Sequence, residues 1–175
     1  AADHVAPLAQ FASDRHMEVA LYNHLGWAGE PATLAAICDR LAADGHTNVG
    51  IVYQQHHGHA HLDDFAHHLE TMRPHLKALG LNGMETGQHW GGSKIHPYGH
   101  GEHDLALARV VAESGWRGPV SILCHTIDDA ELRLRDNLDG LDWVVSTLVA
   151  ERSGDLADAP PAPPSPRIPH PVWPH

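Results

Sequence analysis

Four histidines fall within six residues in the segment NVGIVYQQHHGHAHLDD (48–64): His56, His57, His59 and His61, directly behind an apolar, β-branched run. Imidazole gives and takes protons near neutrality, because its unperturbed pKa is about 6.5, and in its neutral form it ligates borderline metals such as zinc, nickel and copper. The segment admits three readings: a substrate pocket, a metal site, or a solvated turn with histidine as polar filler. His57 is the first candidate for contact with metal or substrate. The same juxtaposition recurs at Asn23-His24 behind VALY, at Asn82 behind ALGL, and at Cys124-His125 behind VSIL.

These residues need elements to position them. Val5, Leu8, Phe11 and Ala12 recur at helical spacing before the β-type run MEVALY. Pro31 suits a first helical position, Leu34, Ile37, Cys38 and Leu41 follow three and four apart, and Gly45 stops that helix before NVGIVY. LDDFAHHLETM is a helix with acids in its first turn and Leu62, Phe65 and Leu69 on one face; Pro74 closes it ahead of the strand KALGLNGM. A glycine-rich loop, ETGQHWGGSKIHPYGHGE, leads to the helix HDLALARVVAESG, the strand GPVSILCH and a long helical stretch from about residue 128 to about residue 150. From Asp158 onward the chain holds eight of its thirteen prolines, which excludes regular helix or sheet and predicts an extended segment.

Strands alternating with helices about every 30 residues build parallel sheet from βαβ units. A small doubly wound sheet and half of a (β/α)8 barrel both satisfy that pattern. All four runs end in polar residues, and only the barrel makes every strand end converge on one site. The expectation is therefore an α/β fold, a parallel (β/α)4 half of a TIM barrel over residues 1–154, with a Pro-rich extended tail over 155–175.

With 175 residues the chain suffices for one domain with a real core. Its formal charge of −11, from 22 acids against 11 bases, repels phosphate, so neither nucleic acid nor an anionic membrane surface is expected as the main partner. A small or neutral ligand fits better. Eighteen histidines make that charge depend on pH. Cys38 and Cys124 lie far apart and form no CxxC pattern, so no disulfide framework is indicated. No apolar run approaches the roughly 20 residues of a membrane helix, and the chain reads as soluble, cytoplasmic or exported after leader removal. The start at Ala-Ala-Asp is expected to reflect a removed leader, a proteolytic cut or a piece of a longer parent.

The segments VALYNHLGWAGEP, NVGIVYQQHHGHAHLDDF, ALGLNGM, KIHPYGHGEHDLAL, GWRGPVSILCHT and DDAELRLRDNLDGLDWV together resemble the later half of a xylose-isomerase-like TIM barrel, of the sugar phosphate isomerase/epimerase superfamily, over about residues 3–150. The resemblance implies a divalent metal held by Glu, Asp, His and Glu at successive strand ends, assisting proton or hydride shifts beside a sugar carbonyl. Carried over by position, His57 is kept in type. Gln54 stands where the acid of Asp-x-x-His would be, Asn82 where a His would be, and Leu123, Cys124 and His125 where a Glu would be. A neutral amide is a poorer ligand for a hard cation.

The function so implied is that of a carbohydrate-active isomerase or epimerase-like module acting on a sugar or polyol. His24, His57 and His125 would do the acid–base work, and Asn23, Gln54, Asn82 and Lys94 would bind the substrate. Metal, if used, would be zinc, manganese, nickel or copper on His57, His59 and His125, with His24 beside them. The alternative is a non-catalytic, histidine-rich metal-binding or scaffold protein derived from that fold. The plainer readings place His67, His68 and His75 on solvated surface, Cys124 as a small core hydrophobe, Lys94 and Glu102 in a covering or surface loop, and His170 and His175 outside the chemistry. A half-barrel exposes two parallel edge strands, so a homo-oligomer or a partner chain completing the barrel is expected.

Overall fold

Each apolar run forms a strand and each amphipathic run a helix. The order is α1 (Ala2–Ser13), β1 (Val19–Tyr22), α2 (Pro31–Ala43), β2 (Val49–Gln54), α3 (Phe65–Met72), β3 (Leu76–Leu81), α4 (Asp104–Glu113), β4 (Val120–Ile122) and α5 (Ala130–Ser153). The computed structural model describes residues 1–86, 95–124 and 126–168. The strands form one four-stranded sheet in the order β1-β2-β3-β4. β1 runs parallel to β2 from Val19↔Val49 to Tyr22↔Val52, and β2 parallel to β3 from Ile51↔Leu76 to Gln54↔Gly80. A helix crosses over between successive strands, as parallel neighbours require. This is the α/β fold of a (β/α)4 half-barrel. Among the described residues no helix is long and apolar enough to cross a membrane.

The chain divides into two compact units, residues 1–80 with 114–121, and residues 81–113 with the chain from Ile122 on. In the first, side chains alternate along β2. Val49, Ile51 and Tyr53 are buried, and α2 packs on both β2 and α3. Leu34, Cys38 and Leu41 from α2 and Phe65, Leu69 and Met72 from α3 complete that core. Burial, with Asp39 beside it, pushes the Cys38 thiol up to about 11, so it behaves as a core hydrophobe. Gly45, at φ 93, ends α2 as its composition predicts.

The opposite face of the sheet carries glycines under long polar side chains. Lys77, at an irregularity in the β2–β3 register, lies across Gly50, its Cγ 2.5 Å from where a Cβ would stand. Its Nζ reaches Glu18 Oε1 at 2.6 Å. Gln54 occupies the space that a Cβ at Gly80 would take. Glycine within a strand here marks a close approach.

The stripe Val5, Leu8, Phe11, Ala12 does lie on a helix, α1, in which Ala9 and Ala12 are buried while Leu8 and Phe11 are exposed. Small residues let α1 approach α2, and Phe11 instead carries the Arg15 guanidinium 3.6 Å from its ring centroid. Cys124 is exposed rather than a core residue.

In the second unit the Pro-rich segment is strapped to α5. Asp136, 2% exposed, accepts from Arg167 N at 2.8 Å, Arg167 Nη1 at 3.0 Å and Ile168 N at 3.2 Å. Arg167 also reaches Asp139 Oδ2 at 2.7 Å, and Trp143 Nε1 donates to the Pro160 carbonyl at 3.1 Å. Burial pushes the Asp136 carboxyl up, but the Arg167 and Ile168 donors outweigh it and hold the group below its usual range.

Asp104 heads α4 and gathers the preceding loop. Its carboxylate accepts from Met84 N and Gly99 N at 2.7 Å and Gly101 N at 2.9 Å. Burial nevertheless pushes its pKa up to about 7 against those donors. A carboxyl raised in the folded state stabilises fully below its unfolded value of about 4, and loses that contribution as pH rises through the folded value. The stability of the wild type relative to Asp104→Asn should therefore fall between about pH 4 and pH 7 and be level above. Urea denaturation of both proteins across that range checks this; a difference that does not change with pH excludes Asp104 as the titrating group.

Candidate functional site

The carboxyl ends of β1 and β2 are fastened together by a side chain. Asn23, 1% exposed, donates Nδ2 to the Gln54 carbonyl at 3.0 Å and accepts from Gln54 N at 2.7 Å. These bonds are what a further strand residue would make through its main chain. The backbone is thereby free to turn, with Leu25 at φ 54 and Gly26 at φ 61. A left-handed Leu is a strained position. Gly29 lies beneath the turn, where a Cβ would come 3.1–3.2 Å from the main chain of Asn23 and His24. Asn23 was expected to orient substrate hydroxyls; its amide is bonded in both directions to the main chain of Gln54.

The turn delivers His24 to a cluster of rings. His24 and His57 lie 4.6 Å apart between centroids at 66°, Tyr22 packs edge-on to His57 at 5.3 Å, and His56 lies over His57 at 3.6 Å. His57 ends the short 3-10 turn Gln55–His57 that follows β2. His24 is exposed, His57 half-buried and His56 buried. Two imidazoles from different strand ends thus share one small, partly open patch. Burial raises the Tyr22 hydroxyl above its ordinary pKa, so it serves as a hydrogen-bonding phenol.

Behind the cluster runs a relay that sequence reasoning missed. Tyr53, fully buried, bonds His61 Nδ1 through its hydroxyl at 2.9 Å, and His61 Nε2 meets Glu30 Oε2 at 3.2 Å. His61 was one histidine among four in the sequence; in the structure it is buried and ties β2 to Glu30, the residue that precedes α2. His68 stacks on it with centroids 4.4 Å apart. His68 is half-buried rather than the solvated surface residue expected, and burial, then the neighbouring His61 and His67, hold its pKa below the ordinary value. His75 is also anchored, through Asp39 at 2.7 Å.

The remaining predicted residues are dispersed. Gln54 ends β2 with its Oε1 buried and without a hydrogen-bond partner among the described residues, as is Gln55 Oε1. His59 turns its Nδ1 to the His56 carbonyl at 3.0 Å. In the second unit Asn82 is fully buried, and its Nδ2 donates to the Gly83 carbonyl at 2.9 Å and to Met84 Sδ at 3.2 Å. Its Oδ1 has no partner among the described residues. Glu102 is exposed and accepts from Thr86 Oγ1 at 3.2 Å. Lys94 and His125, with His170 and His175, lie outside the described residues.

The described residues do not reproduce a carboxylate-rich metal site. Gln54 offers a neutral amide at the acid's place, and no group of three or more His, Cys, Asp or Glu among the described residues is placed to hold one ion.

The fold and strand-end site together define an α/β chain of the (β/α)-barrel class. No family model matches the sequence, and no curated protein matches it. Among solved structures the chain is similar to the apo crystal structure of 3-keto-D-glucoside 4-epimerase, YcjR, from E. coli, with TM-score 0.57 and 18% identity over 82% of this chain and 51% of that one. The chain spans about half the length of that relative, and the likeness is one of fold.

Gly58 sits where a Cβ would overlap the Tyr53 hydroxyl. Its φ of −99 permits alanine, so the obstacle is steric. Gly58→Ala should destabilise by about 2 kcal/mol, and Tyr53→Phe alone by about 1 kcal/mol. The double variant should recover most of the alanine cost, a coupling that denaturant unfolding of the four proteins measures. Strictly additive losses would show that the hydroxyl is not what Gly58 accommodates.

Proposed function

We propose that this chain forms half of a carbohydrate isomerase or epimerase, in which His24 and His57 move a proton on the carbon beside a sugar carbonyl. The observation that carries this reading is the His24–His57 pair, 4.6 Å between ring centroids at two adjacent strand ends. Removing a proton next to a carbonyl needs a base, and returning one needs an acid; a neutral and a protonated imidazole supply both near neutral pH. The base takes the C–H proton, the electron pair moves to the carbonyl oxygen, and the acid protonates that oxygen to give an enediol. A proton delivered to the former carbonyl carbon, with the adjacent hydroxyl giving up its proton to the base, gives isomerisation; a proton delivered to the opposite face of the original carbon, with the first oxygen giving its proton back, gives epimerisation.

Gln54 supports the reading from the side of binding. Its amide oxygen, buried without a partner among the described residues, is an acceptor that a sugar hydroxyl can satisfy. The proposal retains His125 as a third acid–base group, with Lys94 and Asn82 as substrate ligands, on sequence grounds. The similarity to a structure named as a 3-keto-D-glucoside epimerase favours a keto sugar or its glycoside.

Deuterium uptake tests this. The protein, in whatever assembly it forms, is incubated in D2O with a panel of aldoses, ketoses and keto-glycosides, and exchange beside the carbonyl is followed by NMR. Exchange should occur with at least one sugar, and His57→Gln and His24→Gln should each slow it by about 10²- to 10⁴-fold while circular dichroism is unchanged. Exchange that is absent throughout, or indifferent to both substitutions, rejects the proposal. Zinc or nickel uptake that depends on His57, in a protein without exchange, would support the metal-binding alternative.

A further inference from the structure

α5 buries the wrong face for a surface helix. Its buried positions are Arg133, Asp136, Asn137, Gly140, Val144, Thr147 and Ala150, while Leu132, Leu134, Leu138, Val145 and Val149 are 39, 46, 49, 50 and 62% exposed. An amphipathic helix of a globular protein shows the reverse. Polar contacts explain the buried face. Asn137 accepts from Tyr98 N at 2.7 Å and donates to Cys124 Sγ at 3.2 Å, Asp136 holds the Pro-rich strap, and Gly140 leaves room for the Tyr98 carbonyl.

The open face has the pattern of a contact surface. Leu134, Leu138, Leu141, Val145 and Leu148 fall four, three, four and three residues apart, the spacing of a seam along which two helices pack. Towards its end, Val145, Leu148 and Val149 join Ala112 of α4 in a groove of about 470 Å³, edged by Arg109, Glu113, Glu151 and Arg152. The first half of the face carries the exposed Leu134 and Leu138, and the second half holds the groove.

Charge identifies the occupant. Glu131, which already accepts from Arg135 Nη2 at 2.8 Å, stands exposed in the first turn of α5, and Arg152 in the last. Packed antiparallel about Leu141 and Asp142, two such helices set Glu131 opposite Arg152, Leu134 opposite Val149 and Leu138 opposite Val145. Parallel packing would set like charges together. A face complementary to itself in shape and charge is what an interface between identical copies about a two-fold axis requires.

We propose that α5 is the contact helix of a homodimer, with Leu134 and Leu138 of each copy entering the Val145–Val149 groove of the other. This does not depend on the catalytic reading.

Sedimentation velocity of the whole chain over a concentration series tests it. The wild type should dimerise, and Leu138→Glu with Val145→Glu should weaken association by roughly a hundredfold or more. Both positions are half-exposed, so the fold should persist by circular dichroism. Glu131→Arg and Arg152→Glu should each weaken the dimer, and their combination should restore it. A wild type monomeric throughout the series overturns the proposal. So does association that the two glutamates leave intact, or a dimer indifferent to both charge reversals.

Discussion

The arrangement of this molecule's strand ends rests on one amide. Asn23 gives its side chain to the main chain of Gln54 in both directions, as donor at 3.0 Å and acceptor at 2.7 Å, and so continues the β1–β2 ladder after β1 itself has stopped. β1 is an edge strand of four residues, with main-chain partners on one side only. Extending the ladder by a side chain lets the backbone leave one residue early, through left-handed Leu25 and Gly26, and brings His24 over the end of β2. The contact between His24 and His57 follows from that exit.

What was legible in the sequence was what repeats locally. Helix and strand periodicities produced all four strands and the four-fold alternation, because each element's apolar pattern is confined to its own residues. The position of His57 at a strand end followed from the same reading. The role of Asn23 did not, since its partner lies 31 residues away and an Asn after a strand is equally a turn residue. The Tyr53–His61–Glu30 relay was hidden for the same reason, as Glu30 and His61 meet across 31 residues. One local signal did point to it: Gly58, between two histidines, is where a close approach is needed, and the Tyr53 hydroxyl makes it.

The open face of the sheet shows how a half-barrel copes with an interior it does not close. Tyr22 is 40% exposed, and beside it Gly50 and Gly80 carry no side chain of their own. Lys77 and Gln54 lie flat in their place. A lysine stem covers apolar surface while its ammonium reaches Glu18, so the amino-terminal end of this face is closed by an ion pair. The carboxyl-terminal end is covered by an uncharged amide and rings.

Gln54 stands at a strand end where the resemblance would place an acid. An acid at position 54 would be a hard ligand and would anchor a divalent cation; an amide cannot neutralise one. What Gln54 contributes instead is an oxygen buried without a partner among the described residues, at a cost of about 1–3 kcal/mol if it stays so. A strand end under no functional demand would relieve that cost with a small apolar residue, since Gly80 opposite leaves ample room. That oxygen lies against Gly80 on the neighbouring strand, at the end of β2 that leads into His57. The amide oxygen of Gln54, without a partner among the described residues, and the left-handed Leu25 are both departures from local rules, and they stand within a few residues of His57 and His24 along the chain.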